Sequence, residues 1–166
     1  MTRVRWLTDP EQGIWRAFLE ANRRLAEQLD RELLHDVGMP LAYYQILAML
    51  SEAPDHTLRM SDLAEQTWSS RSRLSHAVDR LEDKGWIERS SCPSDRRGAF
   101  AVLTDAGLAV LTAAAPSHVE SVRRHVFDQL TPQQARELGD VSRAIARHLA
   151  AADAAADDQI GLDARR

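Results

Sequence analysis

Apolar residues recur along most of this chain at the three-and-four spacing of helices, interrupted near the middle by a short extended stretch. From Ile14 the positions Trp15, Phe18, Leu19, Leu25, Ala26, Leu29 and Leu33 trace a helical stripe that reaches His35. Asp9-Pro10-Glu11 starts it, with Asp9 as N-cap and Pro10 where a missing N–H costs nothing. Gly38 and Pro40 end it. Residues 41–50 (LAYYQILAML) form a short apolar helix buried on most sides, and Thr57-Leu58-Arg59 a very short strand. A helix opening at Met60-Ser61 turns Leu63 and Ala64 inward, Thr67-Trp68-Ser69 makes a turn, and the next helix carries Leu74, Ala77, Val78 and Leu81 on one stripe up to Gly85.

Residues 86–90 and 99–103 then read as antiparallel strands. The polar loop from Cys92 to Gly98 is too long for a two-residue turn, which predicts a projecting, flexible tip. Thr104 caps a long helix over 108–130, with Val110, Leu111, Val119, Val122, Val126 and Phe127 for burial; Pro116 is expected to kink or restart it. Thr131-Pro132-Gln133-Gln134 starts the last helix, whose large apolar residues are Leu138, Val141, Ile145 and Leu149. Beyond Ala150 few large apolar side chains remain, so a frayed end is expected.

The sum is a mostly α (α+β) chain: an N-terminal dimerisation helix over 1–40, a winged helix-turn-helix core over 41–104, C-terminal dimerisation helices over 105–150 and a frayed or disordered tail over 151–166. The terminal helices carry more apolar surface than so small a core can cover, which argues for a symmetric dimer. Composition changes this little. The 166 residues include seven glycines and six prolines, few for a sandwich or barrel, and a single cysteine excludes a disulfide framework within one chain. No apolar run approaches a membrane span and the first residues lack the apolar core of a signal peptide, so a cytoplasmic protein is expected. The net charge of -4 speaks only mildly against nucleic acid, because acid concentrates at both ends while Arg71, Arg73, Arg96 and Arg97 lie in the middle.

That middle carries the chemistry. A helix whose polar face opens Ser69, Ser70, Arg71, Ser72, Arg73, with Ser75 and His76 a turn on, suits a DNA groove: short side chains let the backbone approach, and arginine reaches guanine or phosphate. The competing reading is a solvated Ser/Arg-rich face, and the hairpin that follows directly weighs against it. Arg96 and Arg97 at the hairpin tip suit a minor groove, with Asp95 fixing one arginine rather than touching DNA.

The stretch Leu74 to Arg89, with LEDKGWIER as its second half, the wing Asp95-Arg96-Arg97 and the run Leu103-Thr104-Asp105-Ala106-Gly107 resemble the MarR family of bacterial winged-helix regulators, over about residues 15–149. The resemblance implies a homodimer joined through its N- and C-terminal helices, binding a pseudo-palindromic double-stranded operator and repressing a neighbouring gene. It implies that Asp95 stabilises the wing and that Arg97 enters the minor groove. It also implies release by a small phenolic or other aromatic ligand held between the dimerisation helices and the core. Trp15, Phe18, Tyr43, Tyr44 and Trp68 are the aromatic candidates for that pocket, although core packing is the commoner role of such residues, and Arg16 or His35 could meet a carboxylate.

Other chemistries find less support. Cys92 lies in the wing rather than near the N-terminal helix, where peroxide-sensing relatives carry theirs; a redox-responsive regulator using Cys92 is a second alternative. The six histidines are scattered without a metal-ligand spacing, so no metal and no cofactor is expected. Glycines that could cradle a phosphate stand singly, and the serines keep company with arginines rather than with a base and its orienting acid, so the chain is not read as an enzyme. The first alternative is a helical dimerisation or interaction protein without DNA binding.

Overall fold

The computed structural model describes residues 4–67, 69–92 and 95–163, with side chains for 4–67, 69–90 and 99–151. Helix α1 (Asp9–Val37) is followed by α2 (Leu41–Glu52), a single 3-10 turn (Pro54–His56), β1 (Thr57–Arg59), α3 (Met60–Gln66), α4 (Arg71–Asp83), β2 (Ile87–Cys92), β3 (Asp95–Leu103), α5 (Asp105–His125), a second 3-10 turn (Phe127–Gln129) and α6 (Pro132–Asp163). The chain divides into two compact units, Met1–Val122 and Arg123–Arg166, with the boundary inside α5.

Helix α1 begins one residue earlier than the Asp-Pro signal suggests. Thr8 is the N-cap: its hydroxyl accepts from the Glu11 N–H, and the Glu11 carboxylate accepts from the Thr8 N–H at 2.7 Å. The reciprocal pair satisfies two terminal donors, and Asp9 enters the helix as its first residue instead of capping it. Those bonds hold the Glu11 carboxyl below its ordinary range. At the other end Gly38 takes φ 68°, and its N–H closes on the Leu34 carbonyl at 3.0 Å. Asp30 then reaches across the turn, its carboxylate accepting from the Leu41 N–H at 2.8 Å, so α1 caps α2.

The core of the first unit gathers Leu33 and Met39 with Ile46, Leu47 and Leu50 of α2, Leu63 of α3, the α4 stripe, Ile87, Ala101 and Leu103 of the sheet, and Leu111 and Ala114 of α5. The sheet order is β1-β3-β2, antiparallel throughout, with Leu58 opposite Ala101 and Arg89 opposite Ala101 on the other side. The two long strands reach further than expected, to Cys92 and back from Asp95, with a bulge between Ser91 and Cys92, while Trp86 stays outside the strand.

The junction of wing and α5 is tight. Thr104 donates its hydroxyl to the Gly85 carbonyl at 2.7 Å, accepts from the Gly107 N–H at 3.0 Å and gives its own N–H to the Trp86 carbonyl at 3.1 Å. Pro116 does not restart α5, which is continuous to His125. Pro116 and Thr112, whose carbonyl loses its donor, both lie on the exposed side, where that carbonyl is open to solvent in place of the missing N–H. The helix ends five residues before the expected 130, at the 3-10 turn. In the second unit α6 is helical past Ala150 to Asp163, sustained by alanine-rich sequence rather than by large apolar residues.

Candidate nucleic-acid interface

Helix α4 is held from below. Leu74, Val78 and Leu81 are each no more than 1% exposed, and their burial stabilises the helix by roughly 6 kcal/mol at about 2 kcal/mol per side chain. Spacings of four and three put them on one narrow line, with Ala77 half-buried beside it. Opposite this line stand Ser72 and His76, with Arg73 and Arg80 on one flank; all four are exposed, as is Arg71 in the first turn. The N-terminal half of the outer face is thus hydroxyl, guanidinium and imidazole. Acid appears only at Asp79 and beyond.

The serines divide by task. Ser69 is half-buried in the turn, its N–H on the Ala64 carbonyl at 3.0 Å and its hydroxyl on that of Thr67 at 3.3 Å. Ser70 is the α4 N-cap and accepts from the Arg73 N–H at 3.3 Å. Ser75 is half-buried, and both its carbonyl and its hydroxyl accept from Arg89 of β2, at 3.1 and 3.4 Å. Of the hydroxyls singled out in the sequence, Ser72 is the one on the outer face of the helix. Arg71, Arg73 and His76 share its half of α4, with His76 3.9 Å from the Asp79 carboxylate.

Beside α4 runs the β2–β3 hairpin, paired from Ile87 opposite Leu103 to Cys92 opposite Asp95. It stands next to the helix through Arg89, whose guanidinium also meets Asp79 at 2.6 Å. Sequence reasoning quoted Arg89 within its motif but gave it no role; its partners lie up to 14 residues away. Arg59 of β1 covers the Phe100 ring at 5.3 Å and Lys84 the Trp86 ring at 5.0 Å, two cations held over aromatic faces at the base of the hairpin. The side chains of Cys92, Asp95, Arg96 and Arg97 lie outside the described residues, as does Trp68 altogether.

The aromatic residues proposed for one pocket fall into two groups. Trp15 and Phe18 stack at 5.9 Å near the start of α1, where a cleft of about 350 Å³ is lined by Trp6, Leu7, Gln12, Trp15 and Arg16. Tyr43 and Tyr44 pack instead against the core from α2. Trp15 precedes Leu29, the first buried residue of α1, by about 20 Å of helix, which separates the two groups. Tyr44 lies against His118 of α5 with ring centroids 4.3 Å apart. Burial lowers the basicity of His118, whose Nδ1 has no hydrogen-bond partner among the described residues, and raises the phenol of Tyr44 above its ordinary value. Next to them a polar seam joins α5 to α1: Ser117 donates to Asp36 at 2.7 Å and Ser121 to Glu32 at 2.5 Å. The sequence-proposed His35 sits at the exposed edge of that seam, 2.9 Å from Asp36. Among the described residues no group of three or more His, Cys, Asp or Glu is arranged to hold a metal, and no helix is long and apolar enough to cross a membrane.

The MarR family model matches residues 37–98, which take in α2, α3, α4, β2 and the start of β3. The chain is 52% identical to Sco3205, a MarR family transcriptional regulator from Streptomyces coelicolor crystallised in complex with DNA, over 86% of this chain and 90% of that one, with TM-score 0.80. AbsC, a MarR family regulator of the same organism, is 49% identical over 88% and 98% of the two chains, with TM-score 0.79. The transcriptional repressor MprA of Escherichia coli is 25% identical over 118 residues, covering 71% of this chain and 66% of that one.

Proposed function

Because the chain belongs to the MarR family of transcriptional regulators, we propose that it is a homodimeric repressor that binds a pseudo-palindromic operator near a neighbouring gene and is released by a small aromatic ligand. The observation that carries the reading is the exposed set Arg71, Ser72, Arg73 and His76 at the start of a buried-side-anchored helix, directly beside a two-stranded wing, in a chain 52% identical to a regulator crystallised with DNA. The helix meets base edges and phosphates in the major groove, and Arg97, with Arg96 beside it and Asp95 fixing the tip, enters the minor groove. Ser69, Ser70 and Ser75 support that face through the backbone and Arg89.

Two further observations support the finer parts. Each unit leaves an apolar face exposed, Trp15, Phe18 and Leu19 in the first and Leu138, Val141, Ile145 and Leu149 in the second, as a homodimer requires. Repression follows the MprA relative. The unpartnered Nδ1 of His118 beside Tyr44 offers an aromatic ligand a ring face and a polar anchor, with Tyr43 on the same helix.

Fluorescence-anisotropy titration against the duplex upstream of the protein's own gene, repeated over a salt series, tests the reading. Arg97→Ala is expected to weaken binding with unchanged helicity. Substituting Arg71 or Arg73 costs about 1–3 kcal/mol and relaxes sequence preference where the side chain reads a base, or weakens all sequences alike and lowers the salt slope by about 1 where it meets phosphate. Equal binding by the wild type and all three variants would overturn the interface.

A further inference from the structure

We propose that Arg89 is the positioning residue that fixes the recognition helix against the wing, so that preference for the operator over other DNA depends on a side chain that does not touch DNA. The inference rests on the DNA-binding reading above. The buried stripe Leu74–Val78–Leu81 is a single line of contact, which fixes the depth of α4 but leaves it able to roll about its axis. Arg89 grips one flank. Its Nη2 donates to the Ser75 carbonyl at 3.1 Å and to the Ser75 hydroxyl at 3.4 Å, and lies 2.6 Å from the Asp79 carboxylate. Its Nε stands 3.8 Å from Glu82, whose carboxylate also accepts the Arg89 backbone N–H at 3.2 Å. Residues 75, 79 and 82 follow the spacing of one helix flank, and all three are tied to one residue of β2.

A roll of about 10° would carry side-chain ends, about 5–6 Å from the axis, through roughly 1 Å. A hydrogen bond to a base edge is lost over such a shift, because it weakens steeply with distance and angle; a phosphate contact by a long cation tolerates it. The clamp also neutralises Asp79, a carboxylate on the outer half of the same helix, and withholds the Ser75 hydroxyl from the groove.

Anisotropy titrations of wild type, Arg89→Ala, Arg89→Lys and Asp79→Asn against the upstream duplex and a scrambled duplex test this, with circular dichroism as the check on folding. Arg89→Ala is expected to lower operator affinity about tenfold, a loss of the size of one mismatched base pair, with little change on scrambled DNA. Its salt slope should stay at the wild-type value, whereas losing a direct phosphate contact would reduce that slope by about 0.9. Arg89→Lys, which lacks the fork geometry, is expected to lose part of the preference. Asp79→Asn removes a negative charge and on electrostatics alone would tighten every complex; a fall in operator affinity with no fall on the scrambled duplex runs against that sign and supports the clamp even where Arg89→Ala does not fold. Intact preference in Asp79→Asn and Arg89→Lys, or a reduced salt slope in Arg89→Ala, overturns the inference alone. A wild type that does not prefer its upstream duplex overturns the DNA-binding reading and this inference with it.

Discussion

A Cβ built on Gly107 would sit 2.1 Å from the carbonyl oxygen of Trp86 and 2.8 Å from Cδ1 of Leu103. The first neighbour is backbone, fixed by the bond that carbonyl accepts from Thr104, so it cannot retreat without breaking the junction of wing and α5. Gly107→Ala is therefore expected to destabilise the protein by about 3 kcal/mol, the upper range for overpacking, read as a lowered denaturant midpoint with an unchanged slope. In the sequence the glycine stood out as part of a motif, but its reason did not: only the folded approach of Trp86 supplies it. Arg89 has the same character. Its residue type and position were legible, whereas its partners depend on how β2 lies across α4.

Elements defined by local rules were legible and those decided by solvent were less so. The helix-turn-helix follows from the stripe Leu74, Val78, Leu81, and the Thr57–Arg59 strand pairs as β1. The restart expected at Pro116 failed because a proline's cost depends on whether the orphaned carbonyl is wet, which one-dimensional pattern does not reveal. The same helix carries a pH prediction. Burial lowers the His118 pKa from its ordinary 6.5, so between the two values the unfolded chain binds more protons than the folded one. Stability is then full above pH 6.5 and declines as pH falls through the lowered value, a window that opens above the carboxyl range in which Asp36, held below 3.8 by its bonds from His35 and Ser117, responds. Thermal melts from pH 7.5 to 5 should show the decline in wild type and a flatter profile in His118→Phe; equal slopes would refute the assignment.

For the molecule as a whole, stretches of exposed apolar side chain dominate what remains. Leu138, Val141, Ile145 and Leu149 are 44–57% exposed at helical spacing, and Trp15, Phe18 and Leu19 are 44–50% exposed on α1. A charge on the former stripe should be costly only where a partner covers it. On the proposed dimer, Ile145→Glu is expected to sediment as an 18.6 kDa species at micromolar concentration with unaltered helix content, and the wild type at twice that mass. A wild type already sedimenting at 18.6 kDa would refute the dimer. The proposed dimer would set the operator's two half-sites about one DNA turn, roughly 34 Å, apart. Sequence pattern made these stripes visible, while the covering surface has no local signature.

The short first strand has a mechanical consequence. β1 pairs with β3 only as far as Phe100, while β3 continues out to Asp95 with β2 alone beside it. Because Asp95 pairs with Cys92, only two residues past the Ser90–Phe100 pair, the register shift takes up the rest of β3 and the paired end forms a cantilever of roughly 7 Å. A pivot of about 12° at its root would swing that end by roughly 1.5 Å, comparable to the tolerance of a groove contact. Aim at the tip is thus governed by stiffness at the root, where Arg59 lies over Phe100.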